Sequence, residues 1–239
     1  MAGHGSIQKE RETLGVLLIR FPSLAAASET LAERVADRLR EVLARQAHAS
    51  LALPGGTTPG LFLKSLGAKP VDWRRVIVLP GDERFVPLDD PRSNERQIRT
   101  LFAPVRDGLC DLLSLRGQAS SPEEAARNAS MRLREAGAVD IAVFGMGSDG
   151  HVASLFPGDV ARAWVEAGDD PVIPTNAPDG SRRLSLSRSA ILAARVVMLL
   201  VSGPEKQAII EEAQRPGSPE VLPIRLLLGR PLTVFSAEY

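Results

Sequence analysis

Short, almost continuous apolar runs alternate along this chain with segments whose apolar positions recur every three or four residues. The runs at 16–19, 50–53, 76–79, 139–144 and 196–201 predict strands buried on both faces. Leu31, Val35, Leu39 and Val42, spaced by Glu33, Arg34, Asp37, Arg38 and Arg40, predict a helix with one buried stripe. Shorter helices are expected over 61–66, with Pro59 near the first turn, and over 94–102, capped by Ser93. Others are expected over 122–136, ended by Gly137, over 204–214 and over 224–228. Weaker strand signals fall at 112–115, 184–186 and 232–235. Residues 1–13 read as a flexible polar arm, and 158–180, rich in Gly, Pro and Asp, as an excursion over the surface. Buried strands alternating with helices imply a doubly wound α/β fold, a mostly parallel, Rossmann-like sheet with helices on both faces. Residues 14–239 would form a single such domain, with a small subdomain from the 84–120 or 158–185 segment as a variant.

Composition narrows the partners. The 239 residues are 44% hydrophobic and 24% charged, and 29 Lys plus Arg balance 29 Asp plus Glu. A neutral chain has no field to hold a polyphosphate, so nucleic acid is not an expected partner. The longest apolar run, 196–201, is far short of the roughly 20 residues of a membrane-spanning helix. Cys110 is the single cysteine and its default is a buried structural thiol; no intrachain disulfide can form. The polar start MAGHGSIQKERE lacks the apolar core of a signal peptide. The expectation is a cytoplasmic protein, a monomer or weak homodimer, whose partner is a small molecule.

Chemistry gathers where four expected strands end: in GGTT, GDER, GMGSDGH and SGPEK. In an open parallel sheet such carboxyl ends share one edge, where ligands bind. Each loop alone reads as an ordinary polar connection; four together, holding a His, an Asp, an Arg and a Lys, favour a site. Gly55, Gly56, Thr57 and Thr58 can cradle an anion with backbone N–H groups, hydroxyls and a helix N-terminus, or form a simple tight turn. Lys206 falls in the first turn of its helix, opposed to the dipole unless it faces a bound anion. Arg182, Arg183 and Arg188 are further anion-holding candidates; the first two, adjacent on a strand, point to opposite faces. His151, after Asp149 and Gly150 in a glycine-rich loop, is the best base at neutral pH, against the plainer role of a helix cap. Asp82, Glu83 and Arg84 could orient a base, hold hydroxyls or stabilise an oxyanion, or merely form a surface ion-pair loop. No Walker loop, complete dinucleotide fingerprint, nucleophile elbow or zinc-spaced cluster is present, so nicotinamide binding and a zinc site are not expected. The composite suits water attack on an activated carbonyl, or proton shuttling on a phosphorylated sugar.

Three blocks, LPGGTTP at 53–59, GDERFVPLDDPRSN at 81–94 and GMGSDGHVASLFPG at 145–158, resemble the 6-phosphogluconolactonase family, within the superfamily shared with glucosamine-6-phosphate isomerases. RRLSLS at 182–187 and VSGPEK at 201–206 match more weakly. The resemblance implies hydrolysis of 6-phosphoglucono-δ-lactone to 6-phosphogluconate in the pentose phosphate pathway, without metal or organic cofactor. It implies His151 as the base, Asp149 beside it, Asp82 and Arg84 at the lactone end, and the 55–58 loop, Lys206 and Arg183 around the 6-phosphate. Asn94 belongs to the second block with no assigned role. Pro54, Ser148, Val152 and the C-terminal PLTVFSAEY depart from the family's usual residues. Two alternatives stay open: an amino-sugar-phosphate deaminase or isomerase, and a non-catalytic phosphosugar-sensing module, which would have no use for His151.

Overall fold

A computed structural model describes residues 9–13, 15–158 and 161–238. In chain order the first half holds β1 (Lys9–Thr13), β2 (Val16–Phe21), α1 (Leu24–Leu43), β3 (Ala49–Leu53), α2 (Gly60–Gly67), β4 (Val76–Pro80), β5 (Asp82–Arg84), α3 (Asn94–Leu101), α4 (Ala103–Arg106) and β6 (Asp111–Leu112). The second half holds α5 (Pro122–Ala136), β7 (Ile141–Phe144), α6 (Arg162–Val165), β8 (Val172–Asn176), β9 (Arg182–Leu186), α7 (Arg188–Ala193), β10 (Val196–Ser202), α8 (Pro204–Ala213), α9 (Arg225–Leu228) and β11 (Leu232–Ala237). Eight strands form the main sheet in the order β1-β2-β11-β10-β7-β3-β4-β6. All neighbours in it are parallel except the β1–β2 edge pair.

The continuous apolar strands follow from burial on both faces. Along β10, Met198 and Leu200 join one core with Leu51, Ile141, Phe235 and the buried stripe of α1. Val197, Leu199 and Val201 join the opposite core with Ala52, Phe144 and the apolar side of α5. That division by alternate residues produces the two helical layers of a doubly wound fold. The α1 stripe runs through Ala27, Leu31, Val35, Leu39 and Leu43; steps of four place Leu43 rather than Val42 at its end. Ser23, Ser93, Ser121 and Ser187 cap α1, α3, α5 and α7 through their side-chain oxygens.

Three local expectations are corrected. The flexible arm expected over 1–13 is a strand in its last five residues, since Lys9–Thr13 pairs with β2 through the turn at Gly15 (φ 77°); residues 1–8 lie outside the described residues. Its charged sequence suits an edge strand. The surface excursion at 158–180 contributes β8, whose Val172 and Ile173 are buried, and Trp164, whose indole N–H donates to the Phe156 carbonyl at 2.7 Å. GDER is not wholly a loop either: Asp82–Arg84 is β5. It pairs antiparallel with β9, which pairs with β8 in a second, three-stranded sheet. This small sheet draws on the 158–185 segment and on residues 82–84, not on the rest of 84–120.

Candidate active site

A cavity of about 190 Å³ opens at the carboxyl ends of β3, β4, β7 and β10. Gly55, Gly56, Thr57, Thr58, Asp82, Arg84, His151 and Lys206, each proposed from sequence, line it together. The cradle loop turns at Gly56 (φ 94°), whose carbonyl accepts from the Gln97 carboxamide at 2.6 Å. Gly55 lies so close to the Asn94 carboxamide that any Cβ would overlap it. Lys206, in the first turn of α8, is half-buried; burial lowers its pKa, and no charged neighbour among the described residues offsets that cost. A half-buried ammonium facing a cavity in this way is suited to a bound anion.

The loop after β7 folds back on itself. Gly147 N–H donates to the His151 carbonyl at 3.0 Å, and Gly150 adopts φ 77°. A Cβ at Gly147 would overlap the His151 ring, so the close turn requires glycine. Asp149 stands behind the ring: its Oδ1 lies 2.5 Å from His151 Nδ1 and accepts the His151 N–H at 3.1 Å. Burial works against the Asp149 carboxylate, yet these hydrogen bonds and the imidazole's charge keep its pKa below the ordinary value. With Nδ1–H donated to Asp149, the Nε2 lone pair is the one left for chemistry. Phe156 packs against the imidazole at 4.5 Å between ring centroids.

On β5, alternation sends Asp82 and Arg84 to the cavity and Glu83 inward. Glu83 is fully buried and accepts from the N–H groups of Arg84, Asn94 and Glu95 and from the Ser93 hydroxyl, at 2.7–2.9 Å. Burial pushes its carboxyl up, against the pull of those four donors. It thereby ties β5 to the N-terminus of α3. Asp82 is held at both oxygens, by Asn94 Nδ2 at 3.1 Å and Ser154 Oγ at 2.5 Å. Arg84 Nη1 donates to Asn94 Oδ1 at 3.0 Å and to the Arg92 carbonyl at 2.7 Å.

Arg183 does not line this cavity. It sits opposite Arg84 in the β5–β9 register, 6.0 Å over the Phe156 ring. It lines a neighbouring pocket of about 350 Å³ with Arg84, Arg92, Asp179 and Arg182. Burial, then the adjacent Arg84, lowers its pKa. The Arg182 guanidinium pairs with Glu123 at the edge of that pocket, and Arg188 opens α7. Cys110 is half-buried and its thiol is pushed up to about 12, chiefly by burial. Among the described residues, no three of His, Cys, Asp and Glu gather in a metal-holding group.

Sequence reasoning missed the supports: Ser154, Gln97, Glu83 as an inward anchor, and the position of Asn94. Ser154 and Asn94 lie inside the quoted blocks, but only the folded arrangement shows what they hold.

Fold and site define the class: an α/β enzyme whose glycine–threonine loop, lysine and imidazole share one cavity at the carboxyl edge of the sheet. The chain belongs to the family described as glucosamine-6-phosphate isomerases/6-phosphogluconolactonase, whose model matches residues 22–235. A 6-phosphogluconolactonase of Mesorhizobium japonicum is 38% identical over 224 residues, covering 91% of this chain and 93% of that protein. One from Pseudomonas aeruginosa is 37% identical, covering 92% and 94%. The solved structure of a 6-phosphogluconolactonase from Shewanella baltica superposes with a TM-score of 0.86 at 30% identity, covering 92% of this chain and 97% of that one. A structure from Plasmodium vivax, at 21% identity, shares the fold with a TM-score of 0.81 over 96% and 93% of the two chains.

Proposed function

We propose that this chain is a 6-phosphogluconolactonase that hydrolyses 6-phosphoglucono-δ-lactone to 6-phosphogluconate, with His151 as general base. The observation that carries the reading is the His151–Asp149 dyad opening into the same cavity as the glycine–threonine cradle and the half-buried Lys206. Relatives that bear this name cover nearly the whole chain.

In the reaction, His151 Nε2 takes a proton from water and the hydroxide adds to the lactone carbonyl carbon. Asp149 holds the tautomer and balances the imidazolium that forms. Arg84 faces the developing oxyanion. The tetrahedral intermediate then breaks its bond to the ring oxygen, which receives the proton from His151. The acid product ionises and releases one proton to solution. The 55–58 loop and Lys206 hold the 6-phosphate at the far end, so that binding energy positions the carbonyl against the base.

A monomer or weak homodimer is the state we assign, following the sequence expectation. Among the described residues no helix is long and apolar enough to cross a membrane. The cytoplasm is the compartment we assign, following the sequence expectation. A pH-stat assay on freshly prepared 6-phosphogluconolactone, corrected for spontaneous hydrolysis, tests the proposal. Acid release no faster than the blank would refute it.

A further inference from the structure

We propose that Asn94 is a positioning residue for this hydrolysis, its carboxamide fixing the Arg84 guanidinium relative to Asp82 and the anion cradle. The inference rests on the hydrolytic reading above, because the group it positions is the one assigned to the oxyanion. Asn94 begins α3 and is 2% exposed. Its Nδ2 donates to the Asp82 carbonyl at 2.8 Å and to Asp82 Oδ1 at 3.1 Å, while its Oδ1 accepts from Arg84 Nη1 at 3.0 Å. The same carboxamide packs against Gly55 of the cradle. Its backbone N–H is held in turn by the buried Glu83, at 2.8 Å.

The chemistry of that position is demanding. The side chain must donate to a carboxylate on one side and accept from a guanidinium on the other. A carboxylate only accepts, an ammonium only donates, and an apolar group does neither; a carboxamide does both. Arg84 has no carboxylate within ion-pair distance among the described residues, and its only other side-chain hydrogen bond there is to the Arg92 carbonyl. Its charge is therefore left toward the cavity, and the Asn94 bond fixes where that charge sits. A misplacement of about 1 Å at such a group costs on the order of 100-fold in rate.

Asn94→Asp separates positioning from bulk, because it keeps the volume beside Gly55. In that variant an ionised carboxylate accepts from Arg84 but repels Asp82. The protonated acid donates to Asp82 and accepts from Arg84, as the amide does. Facing that position are Asp82 and Arg84 on β5, Glu83 behind them, Arg183 on β9, Ser154 on the far side of Asp82, and His151 and Lys206 across the cavity. Glu95, on the same helix, is turned to Arg99.

Wild type and N94D are compared by pH-stat between pH 6 and pH 8. The kcat of the variant is read as its ratio to wild type at each pH. We expect N94D to lose roughly 10–100-fold in kcat, with KM within about threefold of wild type. A ratio near one throughout, or a loss that falls on KM rather than kcat, overturns the inference while leaving the hydrolytic reading intact. Failure of wild type to hydrolyse the lactone overturns that reading instead. If circular dichroism shows N94D unfolded, Asn94→Ser decides, since one hydroxyl serves both neighbours poorly. Lost kcat with retained affinity for 6-phosphogluconate supports positioning, and wild-type turnover overturns it.

Discussion

Lys206→Met tests the cradle with two effects of opposite sign. The substitution keeps an unbranched apolar stem and removes the charge. In the free protein the ammonium is half-buried with its pKa lowered by burial, and no charged group among the described residues compensates it. A lysine whose folded pKa lies below its unfolded value costs stability at pH below the depressed value, and that cost fades as pH rises toward the unfolded pKa. At neutral pH the ligand-free variant should therefore be as stable as wild type or more so. With ligand the order reverses. A hydrogen bond from a charged donor contributes about 1.5–3 kcal/mol, so KM and the dissociation constant of 6-phosphogluconate should rise roughly 10–150-fold. Saturating wild type at about 100 times its dissociation constant stabilises it by about 2.7 kcal/mol. For a chain of this size that raises Tm by roughly 5–10 °C. At the same ligand concentration the variant should gain half of that or less. Differential scanning fluorimetry with and without 6-phosphogluconate, beside steady-state kinetics, reads both effects. An unchanged KM with an undiminished ligand shift would refute the assignment of Lys206 to the phosphate. A ligand-free variant clearly less stable than wild type would refute the burial argument.

His151→Ala should lower kcat about 10²–10⁴-fold while product binding persists in calorimetry; near-normal turnover would remove the imidazole from the mechanism. Gly147→Ala should act on the same step without touching a functional group. Its methyl meets the His151 ring, so kcat should fall with KM little changed, and identical kinetics would show that the ring has room to move. Glu83→Gln replaces two accepting oxygens by one and should cost about 1–3 kcal/mol for each donor left unsatisfied, read by urea unfolding. The Glu83 carboxyl is raised by burial, so the stability it contributes is greatest below the ordinary value of 4.5 and is lost as pH rises through the raised pKa. The gap between wild type and the Gln variant should narrow over that window; parallel curves would contradict the assignment.

The parts of the fold written in the sequence are those set by burial. β3, β7 and β10 are apolar at successive positions because cores lie on both sides, and their ends announced the cavity edge. Serine caps and the Pro122 start fixed helix boundaries for local reasons that need no distant partner. The small sheet was not legible because its strands make sense only in pairs. Asp82–Arg84 is three residues, two of them facing a cavity, and its partner lies about a hundred residues later at Arg183–Ser185. β8 was hidden among Gly, Pro and Asp, with Val172 and Ile173 its main apolar signal; as an edge strand it tolerates Pro174. At the site, His151, Lys206 and the 55–58 loop were legible from chemistry and position. Arg183 was one of three anion-holding candidates, singled out by the resemblance, and its register with Arg84 sets it in the neighbouring pocket. Asn94 and Ser154 were unreadable because their work is to hold Asp82, which is a relation between β5, α3 and the loop after β7.

The same arrangement bears on which member chemistry of the family the cavity supports. An aldose–ketose or deaminase reaction needs a base at the sugar C2 and a second group to assist ring opening. Among the described residues Asp82 is the only carboxylate lining the cavity, and both its oxygens are already engaged, by Asn94 and Ser154. Glu83 points inward and is consumed by four donors. Phe156 packs against the imidazole, and among the described residues Asp149 is the one carboxylate hydrogen-bonded to it. A single shuttling group is a deficiency for isomerisation and sufficient for lactone hydrolysis, where the proton taken from water is returned to the leaving oxygen of the same substrate. A phosphosugar sensor would need the cradle and Lys206 but would gain nothing from a glycine turn that forces an imidazole onto a carboxylate. The engagement of Asp82 by Asn94 and Ser154, and of Asp149 by the imidazole, is thus the feature that favours hydrolysis over its neighbours.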